Sequence, residues 1–67
     1  MKYKDFLTLV DQTANNLNWR YGQSLMNVLH SVSIELYNQI IDSGYDCYDN
    51  DELIPQTLNT LKNNWKN

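Results

Sequence analysis

The sequence is poor in the residues that cross-link or bend a chain, with one cysteine, one proline and two glycines among 67 residues. A single cysteine excludes an internal disulfide framework and a zinc site built from cysteines. The scarcity of glycine and proline argues against a β protein with many turns. A lone cysteine, Cys47, is typical of a reducing compartment, which predicts a cytoplasmic protein.

Positive charge and long apolar runs are also scarce. Five basic residues stand against eight acidic ones, which gives a net charge of −3. A dedicated nucleic-acid binder should carry a basic face, so direct nucleic-acid binding is not expected. No apolar run exceeds two residues, so we expect no signal peptide, no transmembrane segment and no membrane partner.

The size of the chain limits it to one small domain, residues 1–67. A folded chain of 7.9 kDa should expose roughly 4,400 Å² and bury about 60% of its unfolded surface. The composition, 42% apolar and 19% charged, is typical of a globular domain. Because a deep substrate pocket would consume so small a core, we do not expect an enzyme.

Apolar residues recur at spacings of three and four along most of the chain, which indicates amphipathic helices. The spacing predicts helices over residues 2–16, from residue 18 or 19 to 32, over 33–43, and from about residue 51 onwards. Together they predict an all-α fold, a compact bundle of three to four short helices. The stripes expected to face the core are Tyr3, Phe6, Leu7, Val10, Ala14 and Leu17; Tyr21, Leu25, Val28, Leu29 and Val32; Ile34, Leu36, Tyr37, Ile40 and Ile41; and Leu53 or Ile54, Leu58, Leu61 and Trp65.

Residues with strong cap preferences mark the helix ends. Gly44 suits the left-handed position after the third helix, and Pro55 is tolerated only in the first turn of the last helix. Gly22 either lies in a first turn, where glycine costs little, or permits a close helix crossing. The expected N-caps are Asn18 for the second helix, Ser31 or Ser33 for the third, and Asn50 or Asp51 for the last.

Between Gly44 and Glu52 the helical period is lost, which predicts an ordered acidic loop, here defined as residues 45–52. Its spacing does not fit a calcium loop, because position twelve counted from Asp42 is Leu53 rather than a glutamate. We therefore expect neither a metal site nor a cofactor. The carboxylates either cap a helix or form a negative patch for a basic partner surface. They are Asp42, Asp46, Asp49, Asp51 and Glu52, with no lysine or arginine among them.

The triplet Trp19-Arg20-Tyr21 combines the residue types most enriched at binding hot spots. The alternative is that the two aromatic residues belong to the core and that Arg20 pairs with a loop carboxylate such as Asp46 or Asp49. The sequence favours this structural alternative but leaves both open. The candidate partner-binding residues are Trp19, Arg20, Tyr45, Asp46, Tyr48, Asp49, Asp51 and Glu52.

Two further residues could carry chemistry but lack the companions that it needs. His30 is the sole histidine and has no histidine or glutamate partner at ligand spacing, so we expect a structural or surface role. Cys47 lies between Asp46 and Tyr48, where carboxylates should raise the pKa of a thiol, and is expected to be a small buried residue. No catalytic residue is predicted.

The run Asn18-Trp19-Arg20-Tyr21-Gly22-Gln23 opens a longer pattern that ends at Trp65. The pattern resembles a class of short, uncharacterised bacterial and phage proteins with a W-R-x-G-Q helix start, an N-x-L helix and an acidic Y-D…I-P segment. The resemblance implies a cytoplasmic protein of the kind that mobile elements carry, and it supplies no activity. It also implies a structural pairing of Arg20 with the loop. The other matching residues are Asn27, Leu29, Tyr48, Asp49, Ile54 and Pro55.

These patterns favour a small protein-interaction module, an adaptor or an inhibitor of a larger protein. One alternative is a nucleic-acid-related role, either as an acidic DNA mimic or as a weak binder. The weak binder requires the chain ends to meet, so that Lys2, Lys4, Lys62 and Lys66 form one basic patch. The other alternative is self-association into a homo-oligomer, from which a core this small would gain stability.

Overall fold

The computed structural model describes residues 1–66, which form four α-helices. In chain order these are α1 (Tyr3–Leu17), α2 (Tyr21–Val32), α3 (Ile34–Ser43) and α4 (Ile54–Asn64), with a 3₁₀ turn at Asp51–Leu53 before α4. No strand occurs within the described residues. The prediction of an all-α bundle is therefore confirmed.

The core is centred on α2, which packs against α1 on one side and α3 on the other, while α3 packs against α4. The radius of gyration is 10.7 Å, close to the value of about 10.9 Å expected for a folded domain of this length. The accessible surface of 4385 Å² also matches the value expected from the chain's mass. The buried apolar residues are Phe6, Val10, Leu25, Met26, Val28, Leu29, Ile40, Cys47 and Leu61.

Three of the predicted helix ends are present. The Ser33 hydroxyl accepts a hydrogen bond from the Leu36 N–H at 3.2 Å and caps α3. Gly44 takes the left-handed conformation after α3, with φ of 78°. The side chain of Asn50 accepts from the Glu52 N–H at 3.1 Å, so the cap serves the 3₁₀ turn. Helix α4 itself begins four residues after Asn50, at Ile54.

The predicted start of the second helix is wrong. Asn18 ends α1 rather than capping α2, and it adopts a left-handed conformation with φ of 55°. Asparagine tolerates this conformation because its short polar side chain can bond locally. The N–H of Trp19 donates to the Ala14 carbonyl at 2.9 Å, which closes the turn. Helix α2 therefore begins at Tyr21, and Trp19 and Arg20 lie in the link.

Three residues expected in the core are exposed instead: Leu17 (53%), Ile34 (52%) and Ile41 (39%). Helix α1 continues for seven residues beyond Val10, its last buried residue, so Leu17 lies past the part of the helix that the core covers. Helix α3 turns Leu36 and Ile40 towards the core, which leaves the side of Ile34 and Ile41 uncovered. Leu9, which falls outside the predicted stripe, packs against the core.

The two ends of the chain meet. The Tyr3 hydroxyl donates to the Leu58 carbonyl at 3.1 Å, and the Trp65 indole N–H donates to the Met1 carbonyl at 2.9 Å. The Trp65 ring lies 4.9 Å from the Phe6 ring and 5.5 Å from the Tyr3 ring. The segments that carry the four lysines are thus neighbours at one end of the bundle.

Candidate interaction surface

The acidic loop is held against the start of α2 by a direct backbone contact. A Cβ atom on Gly22 would overlap the carbonyl oxygen of Cys47 and also approach its sulfur. Only glycine therefore fits at this position. The close approach suggested by the sequence is real, but it joins α2 to the acidic loop rather than to a second helix.

Beneath the loop, a buried threonine from α4 secures its first residues. The Thr57 hydroxyl lies 2.5 Å from the Tyr45 carbonyl oxygen and 2.9 Å from that of Leu53. The Tyr45 N–H in turn donates to the Ile40 carbonyl at 3.1 Å. Thr57 is fully buried and was missed by the sequence analysis, because a lone threonine in an apolar stripe gives no signal of its bonding partner.

Two side-chain links on the outside complete the attachment. The Arg20 guanidinium pairs with the Asp51 carboxylate at 3.0 Å, and the Gln23 amide donates to the Tyr48 hydroxyl at 3.2 Å. The pairing of Arg20 with a loop carboxylate was predicted; the partner is Asp51 rather than Asp46 or Asp49, the two examples given. Asp46 is engaged within the loop, where it accepts from the Tyr48 N–H at 2.9 Å.

The ion pair contributes little to folding, because both side chains remain more than half exposed, at 57% for Arg20 and 63% for Asp51. Exposed pairs of this kind are worth roughly 0.2–1 kcal/mol. It adds one side-chain link between the loop and the residue that precedes α2. It is the only ion pair among residues 1–66, so the exposed carboxylates of Asp46, Asp49 and Glu52 have no cationic partner within that range.

Trp19 lies at the edge of a groove between α1 and α2, to which no residue of the acidic loop contributes. The groove has a volume of about 300 Å³, and Trp19 is neither buried nor fully exposed. Tyr21, by contrast, packs against the core, which separates the two aromatic residues of the triplet. The groove is lined by Leu9, Thr13, Trp19, Asn27, Val28, Ser31 and Val32.

The structure thus brings six of the eight candidate residues onto one exposed acidic rim: Arg20, Asp46, Tyr48, Asp49, Asp51 and Glu52. Tyr45 is different, because it is half-buried and packs against the core, so its ring supports the fold. Trp19 precedes Arg20 in the chain but lines the groove between α1 and α2 rather than the rim. Gly22 and Gln23, which hold the loop in place, were not among the candidates. The W-R-x-G-Q motif, which contains both residues, was the one sequence feature that could have pointed to them.

The two other side chains that could carry chemistry, Cys47 and His30, lie where the structure shows packing contacts. Burial raises the pKa of the Cys47 thiol, and the carboxylates of Asp46 and Asp51 raise it further against an opposing effect of Thr57. His30 is exposed and meets the Tyr37 ring edge-on at 4.8 Å. Across residues 1–66, no three His, Cys, Asp or Glu side chains are grouped so that they could hold a metal ion. None of the helices in that range is long and apolar enough to cross a membrane.

Comparison with protein-family models, with curated proteins and with solved structures finds no match to this chain. The resemblance to short bacterial and phage proteins therefore stays a prediction.

Proposed function

We propose that the chain is a small, non-enzymatic, cytoplasmic protein-interaction module, an adaptor or inhibitor that binds a basic surface of a larger protein through its acidic loop. The observation that carries this proposal is the rigid display of unpaired charge. Three exposed carboxylates, Asp46, Asp49 and Glu52, project from a loop whose backbone is fixed against α2.

Rigidity matters because it lowers the entropic cost of binding. A mobile acidic loop would lose conformational freedom when it met a partner, at about 1 kcal/mol or more for each residue that becomes ordered. Here the Gly22–Cys47 contact, the Thr57 hydroxyl and the Arg20–Asp51 pair have already ordered the loop on folding. The carboxylates can therefore meet fixed cations without that loss.

Trp19, the residue before Arg20 in the chain, supplies an apolar anchor for the partner. A partly exposed indole beside a groove of about 300 Å³ is a typical hot-spot arrangement, in which one aromatic residue packs into the partner while charges at the rim steer the encounter. Affinity would come from Trp19, and the preference for a basic partner would come from the loop.

The first experiment is affinity capture from lysate of the source organism, with and without nuclease, followed by direct binding to the captured protein. We expect one stoichiometric partner that survives nuclease. The paired variant Asp49→Asn with Glu52→Gln should weaken its binding roughly tenfold, and raised salt should weaken binding by the native chain.

The control is Asp5→Asn with Asp11→Asn, which makes the same change in net charge at exposed positions of α1. This control should retain the native affinity. Equal losses in both paired variants would mean that only net charge matters, and the acidic loop would then not be the binding surface. Capture of nucleic acid alone, abolished by nuclease, would replace the proposal with the nucleic-acid-related alternative.

A further inference from the structure

Helix α3 is apolar on two sides, and the bundle uses only one of them. Ile40 is fully buried and Leu36 packs against the core. Ile34 and Ile41 are 52% and 39% exposed. Seven residues make nearly two helical turns, so these isoleucines lie within about 20° of each other around the helix and about 10.5 Å apart along it. They form a short apolar stripe on the outer face of α3.

The stripe has an acidic flank. Glu35 and Asp42 are also seven residues apart and exposed, so they share one side of the stripe. Helix α3 contains no lysine or arginine. Asp42 lies in its last turn, where no basic residue offsets the partial negative charge of the helix C-terminus. Glu35 and Lys66 line one groove, between α3 and the end of the described chain, but they form no ion pair. The negative field is therefore strongest near Asp42, which has no such cation close by among the described residues.

The opposite flank is aromatic. Tyr37 is half-exposed, and its ring is held edge-on by His30 at a centroid distance of 4.8 Å. The apolar stripe thus has Tyr37 on one side and the carboxylates of Glu35 and Asp42 on the other. Such a surface is complementary to an amphipathic helix whose cations lie along one edge.

We propose that the outer face of α3 docks an amphipathic helix of a partner protein that carries lysine or arginine beside its apolar stripe. Charge decides against a second copy of this chain as the occupant. A two-fold pairing of α3 with itself would bring the carboxylates of Glu35 and Asp42 against the same carboxylates of the other copy. This surface is separate from the acidic loop, so the inference extends beyond the proposed function and does not depend on it.

The test uses a synthetic peptide of about three helical turns, with leucines at helical spacing and lysines along one edge. A second peptide carries glutamates in place of the lysines. We expect the lysine peptide to bind at least roughly tenfold more tightly by calorimetry. Backbone amide shifts in NMR spectra should then be concentrated on α3, around Ile34, Asn38 and Ile41.

Variants of the protein separate the apolar and ionic contributions. Ile34→Ser with Ile41→Ser should remove lysine-peptide binding, and Glu35→Gln with Asp42→Asn should weaken it roughly tenfold. Leu17→Ser, which also replaces an exposed apolar residue, is the matched control and should bind normally. Because none of these side chains belongs to the buried core, helical circular dichroism should be unchanged in every variant.

Three results would overturn the inference. They are equal affinity for both peptides, amide shifts located away from α3, and a concentration-dependent dimer that Ile34→Ser with Ile41→Ser dissociates. The variant Asp49→Asn with Glu52→Gln should bind the lysine peptide with native affinity, which distinguishes failure of this surface from failure of the acidic loop.

Discussion

At the scale of single residues, Gly22 is the position at which a side chain is least tolerated. Its α carbon faces the Cys47 carbonyl so closely that one added methyl group would overlap it. The obstacle is backbone on both sides, so relief requires the acidic loop to move away from α2. Overpacking of this kind usually costs about 1–3 kcal/mol and occasionally more.

Gly22→Ala should therefore lower the free energy of unfolding by at least about 2 kcal/mol, measured by urea denaturation. Gly44→Ala is the matched control, because Gly44 has open space around its α carbon and only its φ of 78° opposes a side chain. That variant should lose about 1 kcal/mol. The close-contact explanation fails if Gly44→Ala is the more damaging of the two.

The sequence predicted correctly those residues whose roles depend only on neighbouring residues in the chain. The roles of Ser33, Gly44 and Asn50 follow from local backbone geometry, which neighbouring residues determine. The tight fit of Gly22 and the burial of Thr57 depend on chain segments far away in sequence. A single sequence contains the residues of such contacts but not their pairing.

At the scale of elements, α3 is the best-defined unit of the chain, bounded by a capping serine and a left-handed glycine. Its boundaries were predicted within one residue, because both end signals are strong. Its buried side was predicted less well. The apolar positions cover more of the helix than its two neighbours, α2 and α4, bury. The sequence cannot specify which part of the helix they will cover.

Ser33→Ala should destabilise the fold by about 1 kcal/mol, because the Leu36 N–H loses its acceptor at the start of α3. Thermal unfolding followed by circular dichroism measures the effect. Ser31→Ala is the comparison, since the Ser31 hydroxyl only donates back to the Asn27 carbonyl at an exposed site of α2. If Ser31→Ala costs as much as Ser33→Ala, the loss cannot be assigned to the cap.

At the scale of the whole molecule, the charges are separated along α4. The acidic loop lies at its start, while the chain ends with their lysines meet near its end. Eleven helical residues span about 16 Å. The loop carboxylates and the lysines can both be read from the sequence. Their separation in space follows from the contact between the two chain ends, which only the structure shows.

One thiol and two tyrosine hydroxyls should make the stability of the fold depend on pH. Burial raises the pKa of Cys47 above its ordinary value of 9.0, and burial likewise raises the pKa values of Tyr21 and Tyr3 above 10.0. The unfolded chain releases these protons at the ordinary values, whereas the folded chain retains them to higher pH. Their contribution to stability is complete below about pH 9 and is lost as the pH rises through the raised values.

The free energy of unfolding should therefore fall over the alkaline interval that begins at about pH 9, while it stays nearly constant just below that pH. Urea denaturation across this interval measures the fall. Cys47→Ala should remove its earliest part and move the onset to about pH 10, where tyrosines ionise. An unchanged pH profile in Cys47→Ala would mean that the thiol does not contribute. Constant stability across the whole interval would mean that none of the three groups keeps its proton longer in the folded chain.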